Sequence, residues 1–420
     1  LESESDLKAV VLAAGRGVRL WPLTETRPKP LLPIANKPIL QHTIEALVDS
    51  GIRDIVLVIN YKGEAVREKF GNGASLMCEI EYVRQREPKG TADALAAAEA
   101  RLKHEDRFVV AYGDDYYQKE GVKGFLAKAQ QNDGITIATA KVEDASQFGG
   151  IEVKNGQVTR IREKLLRQEA GLVNAGIYLM TKAVFSSIRK TTRSKRGEFE
   201  LTDSLKIIID RGESVRSQVL EDGAWLGISY PWDLLEANQR AVMADRARLI
   251  QGKVEDGVRI EGPVVVEEGA VIKAGSRMEG PVHVGKDCEI GPNAFLRPYS
   301  SLGDDVKVGA ACEVKNSIIM SSARIPHLSY VGDSIVGEGC SLGAGTITAN
   351  LRFDEAVVKS RVRGALVGSG RRKLGTILGD HVRTGINVSI FPGVKIGPGA
   401  WLGPGAIVEK DVASGARYRA

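Results

Sequence analysis

The stretch Val284-Gly285-Lys286-Asp287-Cys288-Glu289-Ile290-Gly291-Pro292-Asn293-Ala294-Phe295-Leu296 sets an aliphatic residue at every sixth position. Followed in both directions, the same step picks out Ile260, Val266, Ile272, Met278, Val284, Ile290, Leu296, Leu302, Val308, Val314 and Met320 without a miss. At about 40% apolar usage such a run arises by chance less than roughly once in ten thousand, and a six-residue apolar period marks a β-helix. The phase then slips to Ile325 and Val331 and settles on a second register of Val336, Leu342, Thr348, Leu378, Thr384, Ile390, Ile396, Leu402 and Val408. Glycine follows the apolar position at 285, 291, 303, 309, 337, 343, 379, 397 and 403, which suits a chain that turns a corner every six residues. Three corners make one triangular coil, so these aliphatics and glycines are assigned to packing, and function is sought where the pattern breaks.

It breaks between Ala349 and Ile377, where Arg352, Lys359, Arg361, Arg363, Arg371, Arg372 and Lys373 outnumber Asp354 and Glu355. Two readings stand for this basic excursion: a solvated surface loop, or a contact with the phosphates of coenzyme A or of a sugar phosphate.

Upstream, from Lys8 to about Ala241, short apolar strands alternate with amphipathic stretches, as at 9–13, 55–59, 108–111 and 135–138. That alternation predicts an α/β domain with a mainly parallel sheet. Residues 38–50 read as a helix with Leu40, Ile44, Leu47 and Val48 on one face, and a helical connection is expected around 234–250. The expected domains are 8–241 and 242–420.

Composition narrows the class. Hydrophobic residues at 43% and charged residues at 26% are ordinary for a globular chain. The 58 basic against 53 acidic residues are too evenly balanced to imply nucleic-acid binding. Cys78, Cys288, Cys312 and Cys340 form no CxxC pair, so neither a zinc site nor a disulfide framework is read, and a reducing cytoplasm is expected. No run approaches the length of a membrane helix, and residues 1–6 lack the pattern of a signal peptide.

The first strand leads into Leu12-Ala13-Ala14-Gly15-Arg16-Gly17-Val18-Arg19-Leu20-Trp21-Pro22-Leu23-Thr24, followed by Arg27-Pro28-Lys29-Pro30. Glycines at such a turn let backbone N–H groups meet phosphate oxygens, and a glycine turn after the first strand is where these sheets bind ligands. The P-loop spacing is absent, and Leu20 stands where GxGxxG needs its third glycine.

The whole string resembles the signature of nucleotidyltransferases that activate sugar 1-phosphates, a family that includes glucose-1-phosphate thymidylyltransferases and N-acetylglucosamine-1-phosphate uridylyltransferases. The resemblance implies nucleotide binding by Leu12, Ala14, Gly15, Gln85, Gly90 and Thr91, with the Gln85 amide on the base edge of UTP or dTTP. Asp114, after Gly113, would hold Mg²⁺, while Gly149, Glu163, Lys164 and Asn174 would meet the sugar. A sugar-phosphate oxygen attacks the α-phosphorus in line, so the protein's task is positioning and charge neutralisation. Arg19 would hold the departing pyrophosphate and Lys29 the α-phosphoryl oxygens. One departure stands out: after Trp225-Leu226 the family has an acidic or amide residue that shares the metal, and this chain has Gly227. Asp115 and Asp233 are the candidate substitutes.

Farther on, Ala294-Phe295-Leu296-Arg297-Pro298, Glu313-Val314-Lys315, residues 325–333 and residues 343–350 resemble the acetyltransferase half of the bifunctional uridylyltransferase/acetyltransferase, closest to its archaeal two-domain type. The implied architecture is an α/β, Rossmann-like nucleotidyltransferase domain followed by a left-handed parallel β-helix of hexapeptide repeats. By that match His327 is the general base toward acetyl-CoA. Arg297 and Lys315 would bind the sugar phosphate, Tyr330 and Asn350 would position the amino sugar, and Ala344 would lie along coenzyme A. Ser341 departs from the family's Asn and Ala356 from its substrate-contacting Lys, for which Lys359 can substitute. A homotrimer is expected by analogy, with small-molecule partners and no nucleic acid or membrane. Two rivals stand: a nucleotidylyltransferase whose β-helix only assembles subunits or binds effectors, and a non-catalytic regulatory subunit, for which Gly227 is the support.

Overall fold

The computed structural model describes residues 7–145, 148–162, 169–244 and 248–419. Contacts divide it into two units: the chain through Arg16 with Ile39–Gly227, and Gly17–Pro38 with everything from Ile228 onward.

The first unit is built on a mixed sheet of nine strands: β1 (Lys8–Ala13), β2 (Asp54–Ile59), β3 (Glu79–Arg84), β4 (Arg107–Tyr112), β5 (Ile135–Val142), β6 (Gly150–Lys154), β7 (Gln157–Arg162), β8 (Gly171–Thr181) and β9 (Val215–Val219), in the order β3-β2-β1-β4-β8-β5-β9-β7-β6. β1 runs parallel to both neighbours, Val10 pairing with Val56 and with Val110. Apart from half-buried Lys8, β1 is buried, which is why it reads as a continuous apolar run. From β1 the chain winds to β2 and β3 on one side, then crosses to β4 on the other. The reversal between β1 and β4 leaves a crevice at their carboxyl ends. Helix α1 (Ile39–Asp49) buries Leu40, Ile44 and Leu47 as the pattern requires.

In the second unit, helix α2 (Pro231–Ala244) leads into a parallel β-helix. Two faces carry eight strands each, and the third carries five strands and then three, linked by bridges from Ser341 to Arg324 and Arg383. The register is regular where the sequence step is: Ile272 pairs with Ile290, and Ile290 with Val308. These residues, with Cys288, Cys312 and Cys340, form one buried core, and all four cysteines are free.

The phase slip falls one step earlier than the sequence suggests. Leu302 pairs with Ile319, so Ile319 and not Met320 occupies the inward position and joins the core. Met320 is buried outside that cluster. A second slip puts Val336 opposite Ile319. Side by side, Ile319 and Met320 are equally apolar, and only the coil's geometry chooses between them.

The basic excursion is a docked hairpin. Lys359–Val362 pairs antiparallel with Ala365–Gly368, and Ser360 Oγ donates to the Gly393 carbonyl at 2.7 Å.

Residues 17–38 hold only two single-turn 3₁₀ helices and a two-residue strand pair, and side chains fix them to the coils. The buried Asn238 amide oxygen accepts from Ala35 N (2.8 Å) and Ser301 Oγ (2.7 Å), while its nitrogen donates to the Tyr299 carbonyl. Buried Asp380 accepts from Arg27 Nη2 (2.6 Å), Thr26 Oγ1 (2.7 Å) and the Glu338 amide. Burial opposes the Arg27 charge, but Asp380 and then Glu338 outweigh it and hold the guanidinium above its ordinary value. Breaking a buried pair by removing one partner leaves an uncompensated charge and costs about 3–5 kcal/mol. Asp380→Ala should therefore lower the unfolding midpoint strongly in a thermal melt, and an unchanged midpoint would show the pair to be dispensable.

Candidate active sites

Gly15 and Asp114 stand just past the carboxyl ends of β1 and β4, the strands that flank the reversal. A Cβ built on Gly15 meets nothing within 4 Å, so there is open room for a phosphate to approach the backbone. Leu12 and Ala14 are buried beneath it. Gly113 has no such freedom: a Cβ would lie 2.9 Å from both Leu40 and Val11 side chains, which fixes the turn before Asp114.

Gln85, Gly90 and Thr91 come together. Gln85 is buried, and its Nε2 donates to Asp93 Oδ2 (2.7 Å) and the Gly90 carbonyl (3.2 Å). Gly90 has φ +122°, and a Cβ would lie 2.4 Å from the Phe199 carbonyl oxygen, so no other residue fits without moving the backbone. Thr91 Oγ1 accepts from Leu201 N.

Asn174 sits at a bulge in β8. Its oxygen accepts from Gly176 N and its amide donates to Tyr178 OH, which donates to Tyr112 OH. Gly149 precedes β6, whose Gly150 pairs with Val173 beside Asn174. Burial pushes the Tyr112 phenol up to about 12, so this tyrosine pair stays neutral and supports the strand ends as hydrogen-bonding groups. The two tyrosines carry no sequence signal beyond ordinary core aromatics. Glu163 and Lys164 lie outside the described residues.

In the second unit, Lys29 is buried, with its Cβ 2.9 Å from where a Gly17 Cβ would stand, and Gly17 has φ +62°. Gly17 is thus glycine both for its backbone and for Lys29. Arg19 lies 5.6 Å from the Tyr230 ring centroid.

Neither substitute for the missing metal ligand is a free carboxylate. Asp115 Oδ2 accepts from Trp225 Nε1 at 3.2 Å. Asp233 caps α2, accepting from Ser229 N and Tyr230 N at 2.7 Å each; burial nevertheless raises it to about 6. Among the described residues no group of three His, Cys, Asp or Glu could hold a metal unaided.

On the β-helix, one face assembles polar side chains from successive coils. Glu313 pairs in register with Tyr330, and Tyr330 with Ile347. Asn350 Nδ2 donates to Tyr330 OH (3.0 Å) and Asp333 Oδ2 (2.6 Å), and Lys315 Nζ approaches the same oxygen at 3.4 Å. Asn316 donates to the other Asp333 oxygen. Arg297 pairs with Glu313 at 2.8 Å. Burial, then the Asp333 charge, raises the Tyr330 phenol. Asp333, the hub of this cluster, closes the stretch 325–333 and has no role implied by the resemblance; only the folded corner shows one. Around the corner, exposed His327 and half-buried Ala344 sit on consecutive coils, Gly345 N donating to the His327 carbonyl at 3.2 Å. Lys359 is exposed on the hairpin.

The nucleotidyl transferase family profile matches residues 8–243, and that of the GMPPB C-terminal domain matches residues 278–390. A bifunctional sugar-1-phosphate nucleotidylyltransferase/acetyltransferase of Sulfurisphaera tokodaii is 43% identical over 98% of this chain and all of its own. The chain belongs to this family. The bifunctional protein GlmU of Methanocaldococcus jannaschii is 42% identical over 97% of this chain and 96% of its own. A nucleotidyltransferase of low-salt glycan biosynthesis, Agl11 of Haloferax volcanii, is 34% identical over 80% of this chain and 94% of its own. The chain is a transferase with a nucleotidyl-transfer and an acetyl-transfer half. No described helix is long and apolar enough to cross a membrane.

Packing explains the family departure at Gly227. A Cβ there would lie 2.7 Å from Phe148 Cε1 and 2.9 Å from Trp225 Cζ2, two rings in edge contact. Restoring an acid is therefore not a repair. Gly227→Asp should leave the Mg²⁺ requirement of nucleotidyl transfer no lower, and it should destabilise by about 1–3 kcal/mol through overpacking. A magnesium titration of activity beside a denaturant melt checks both; a lower requirement would show that the rings make way.

Proposed function

We propose that the chain transfers a nucleotidyl group from UTP or dTTP to N-acetylglucosamine 1-phosphate or glucose 1-phosphate, releasing pyrophosphate, and acetylates glucosamine 1-phosphate with acetyl-CoA. The division of labour follows 8–241 and 242–420. The observation that carries the acetyl half is the gathering of Lys315, Tyr330 and Asn350 around Asp333, one corner from His327. For the nucleotidyl half it is the open backbone at Gly15 and the carboxylate of Asp114 at the sheet's reversal.

In nucleotidyl transfer, Gly15 with Leu12 and Ala14 lines the phosphate approach, and the Gln85–Gly90–Thr91 turn meets the base. Gly149, Asn174, Glu163 and Lys164 take the sugar. Arg19 and Lys29, from the loop that follows Gly15 in the chain, neutralise pyrophosphate and the α-phosphoryl oxygens. Asp114, half-buried at a strand end, fits Mg²⁺, which commonly takes one or two carboxylates and completes its shell with water and substrate phosphates. Bound there, the ion would supply charge neutralisation on the transferring group.

In acetyl transfer, the His327 imidazole accepts the proton that the substrate amine loses as its nitrogen attacks the thioester carbonyl. The coenzyme A thiolate departs along the Ala344 corner. Arg297 and Lys315 take the sugar phosphate while staying paired with Glu313 and Asp333, and Lys359 adds charge from the hairpin. A homotrimer working in the cytoplasm completes the proposal.

A second reading, nucleotidyl transfer alone, has one observation in its favour. Arg297 and Lys315 already have carboxylate partners. One experiment separates the two: the protein is incubated with Mg²⁺, a panel of sugar 1-phosphates and nucleoside triphosphates, with and without acetyl-CoA, and products are identified by mass. Asp114→Ala or Lys29→Ala should cost nucleotidyl transfer on the order of 100-fold or more and spare acetyl transfer. His327→Ala should do the reverse, by about 100- to 10,000-fold. Thioester consumption at the parental rate in the His327 variant would remove His327 as the base, and none in the parent would leave the β-helix without a catalytic role.

A further inference from the structure

Within the second unit a cavity of about 510 Å³ lies between the turn at Val18–Trp21, the hairpin tip at Arg361–Gly364 and the last coil at Asp411–Ala413. That volume is in the range of small-molecule sites. Its lining holds four cations, Arg19, Arg361, Arg363 and Lys395, against one carboxylate, Asp411.

Lys395 and Arg361 are held in place. Lys395 is only 3% exposed, its ammonium donates to the Arg361 carbonyl, and it lies 5.1 Å from the Trp21 ring centroid. It thus ties the hairpin tip to the coil while leaving positive charge in the floor. The Arg361 guanidinium folds back on the Gly364 carbonyl at 3.5 Å. Asp411 Oδ1 accepts from the Lys395 backbone amide at 2.9 Å; burial raises the Asp411 carboxyl and lowers the Lys395 ammonium, and the two charges oppose those shifts. Arginine forks suit phosphate oxygens, and a concave, partly dry wall strengthens each contact.

We propose that this cavity is a binding site for a pyrophosphate-class anion, gripped by Arg19, Arg361 and Arg363 over Lys395. The anion has two possible sources: the pyrophosphate released by the reaction, or a separate phosphorylated effector. The link to turnover rests on the nucleotidyl reading given above; the site itself rests on the cavity and its charges.

The test titrates inorganic pyrophosphate calorimetrically into the full chain and into Arg361→Gln/Arg363→Gln. Both residues are exposed, and an unchanged melting midpoint confirms that the variant folds. Affinity should fall at least tenfold in the double variant and by less in Arg363→Gln alone. Competitive inhibition by pyrophosphate against the nucleoside triphosphate that weakens in the double variant assigns the site to the leaving group; non-competitive inhibition that weakens there assigns it to an effector and takes Arg19 out of the leaving-group role. Equal affinity in parent and double variant, or no binding to the parent, overturns the proposal. Should no nucleotidyl transfer be found while binding still falls in the variant, the function reading fails and the site stands.

Discussion

The buried carboxylate of Asp380 carries a disproportionate share of this architecture. It collects the Arg27 guanidinium, the Thr26 hydroxyl and the Glu338 amide at one corner of the β-helix. The segment it holds has almost no regular structure of its own, so its backbone bonds cannot define its path. Asn238 does the same for Ala35 from the other end, with both of its amide atoms bonded. The signature loop that bears Arg19 and Lys29 is therefore placed by side chains of α2 and of coils some 200 to 350 residues away in sequence. A buried ion pair is poor value as a stabiliser, because desolvation offsets much of its Coulomb energy. As a register pin it is well suited, since a misplaced loop would strand the Arg27 charge.

The β-helix makes its candidate site by a change in register. Ile272, Ile290 and Val308 repeat with eighteen residues per coil, but Leu302 pairs with Ile319 and Val314 with Val331, one residue sooner. Lys315, Asn316, His327, Tyr330 and Asp333 all fall in these shortened coils. A coil one residue short must still close its triangle, so its corners move relative to those above and below. The Asp333 carboxylate is thereby left where Lys315 and Asn316 reach it from the coil before and Asn350 from the coil after. Coils of uniform length offer stacked identical corners, which suit packing better than recognition.

Much of this was legible because packing imposes a period. The aliphatic step of six fixed the β-helix, and the strand–helix alternation with its glycine turn fixed the α/β half. Where two apolar residues adjoin, as at Ile319 and Met320, period alone cannot choose, and the six-residue step runs on to Met320 while the coil turns at Ile319. The site residues were legible only by resemblance. Asp333 as a hub, the supporting tyrosines and the Arg27–Asp380 pair depend on contacts between distant segments that no local pattern encodes. Gly227 shows the converse: read as a missing ligand, it is a glycine whose absent Cβ admits Phe148 and Trp225.

A few coil corners, at Tyr299, Ala311 and Leu328 among them, carry left-handed backbone without a short polar side chain. Left-handed φ recurs at coil corners on residues such as Asp287, Asn293, Asp305 and Asn316, whose short polar side chains tolerate it. Leu328 adopts φ +51° with no such excuse: it is aliphatic and 65% exposed, so neither a local side-chain hydrogen bond nor burial offsets the cost. Strain of this kind, of order 1–3 kcal/mol, persists where the surroundings over-determine the conformation, and it clusters at functional positions. Leu328 follows His327, whose carbonyl is held by Gly345 N and Ser329 Oγ. The backbone that follows the imidazole is thus clamped, with Leu328 N also donating to the Ala310 carbonyl at 3.0 Å. A group proposed as a general base, as His327 is, must be held within about 0.5 Å of its productive position. A corner whose direction is fixed by bonds to the next coil, at the expense of one strained leucine, keeps the exposed His327 ring on a rigid mount.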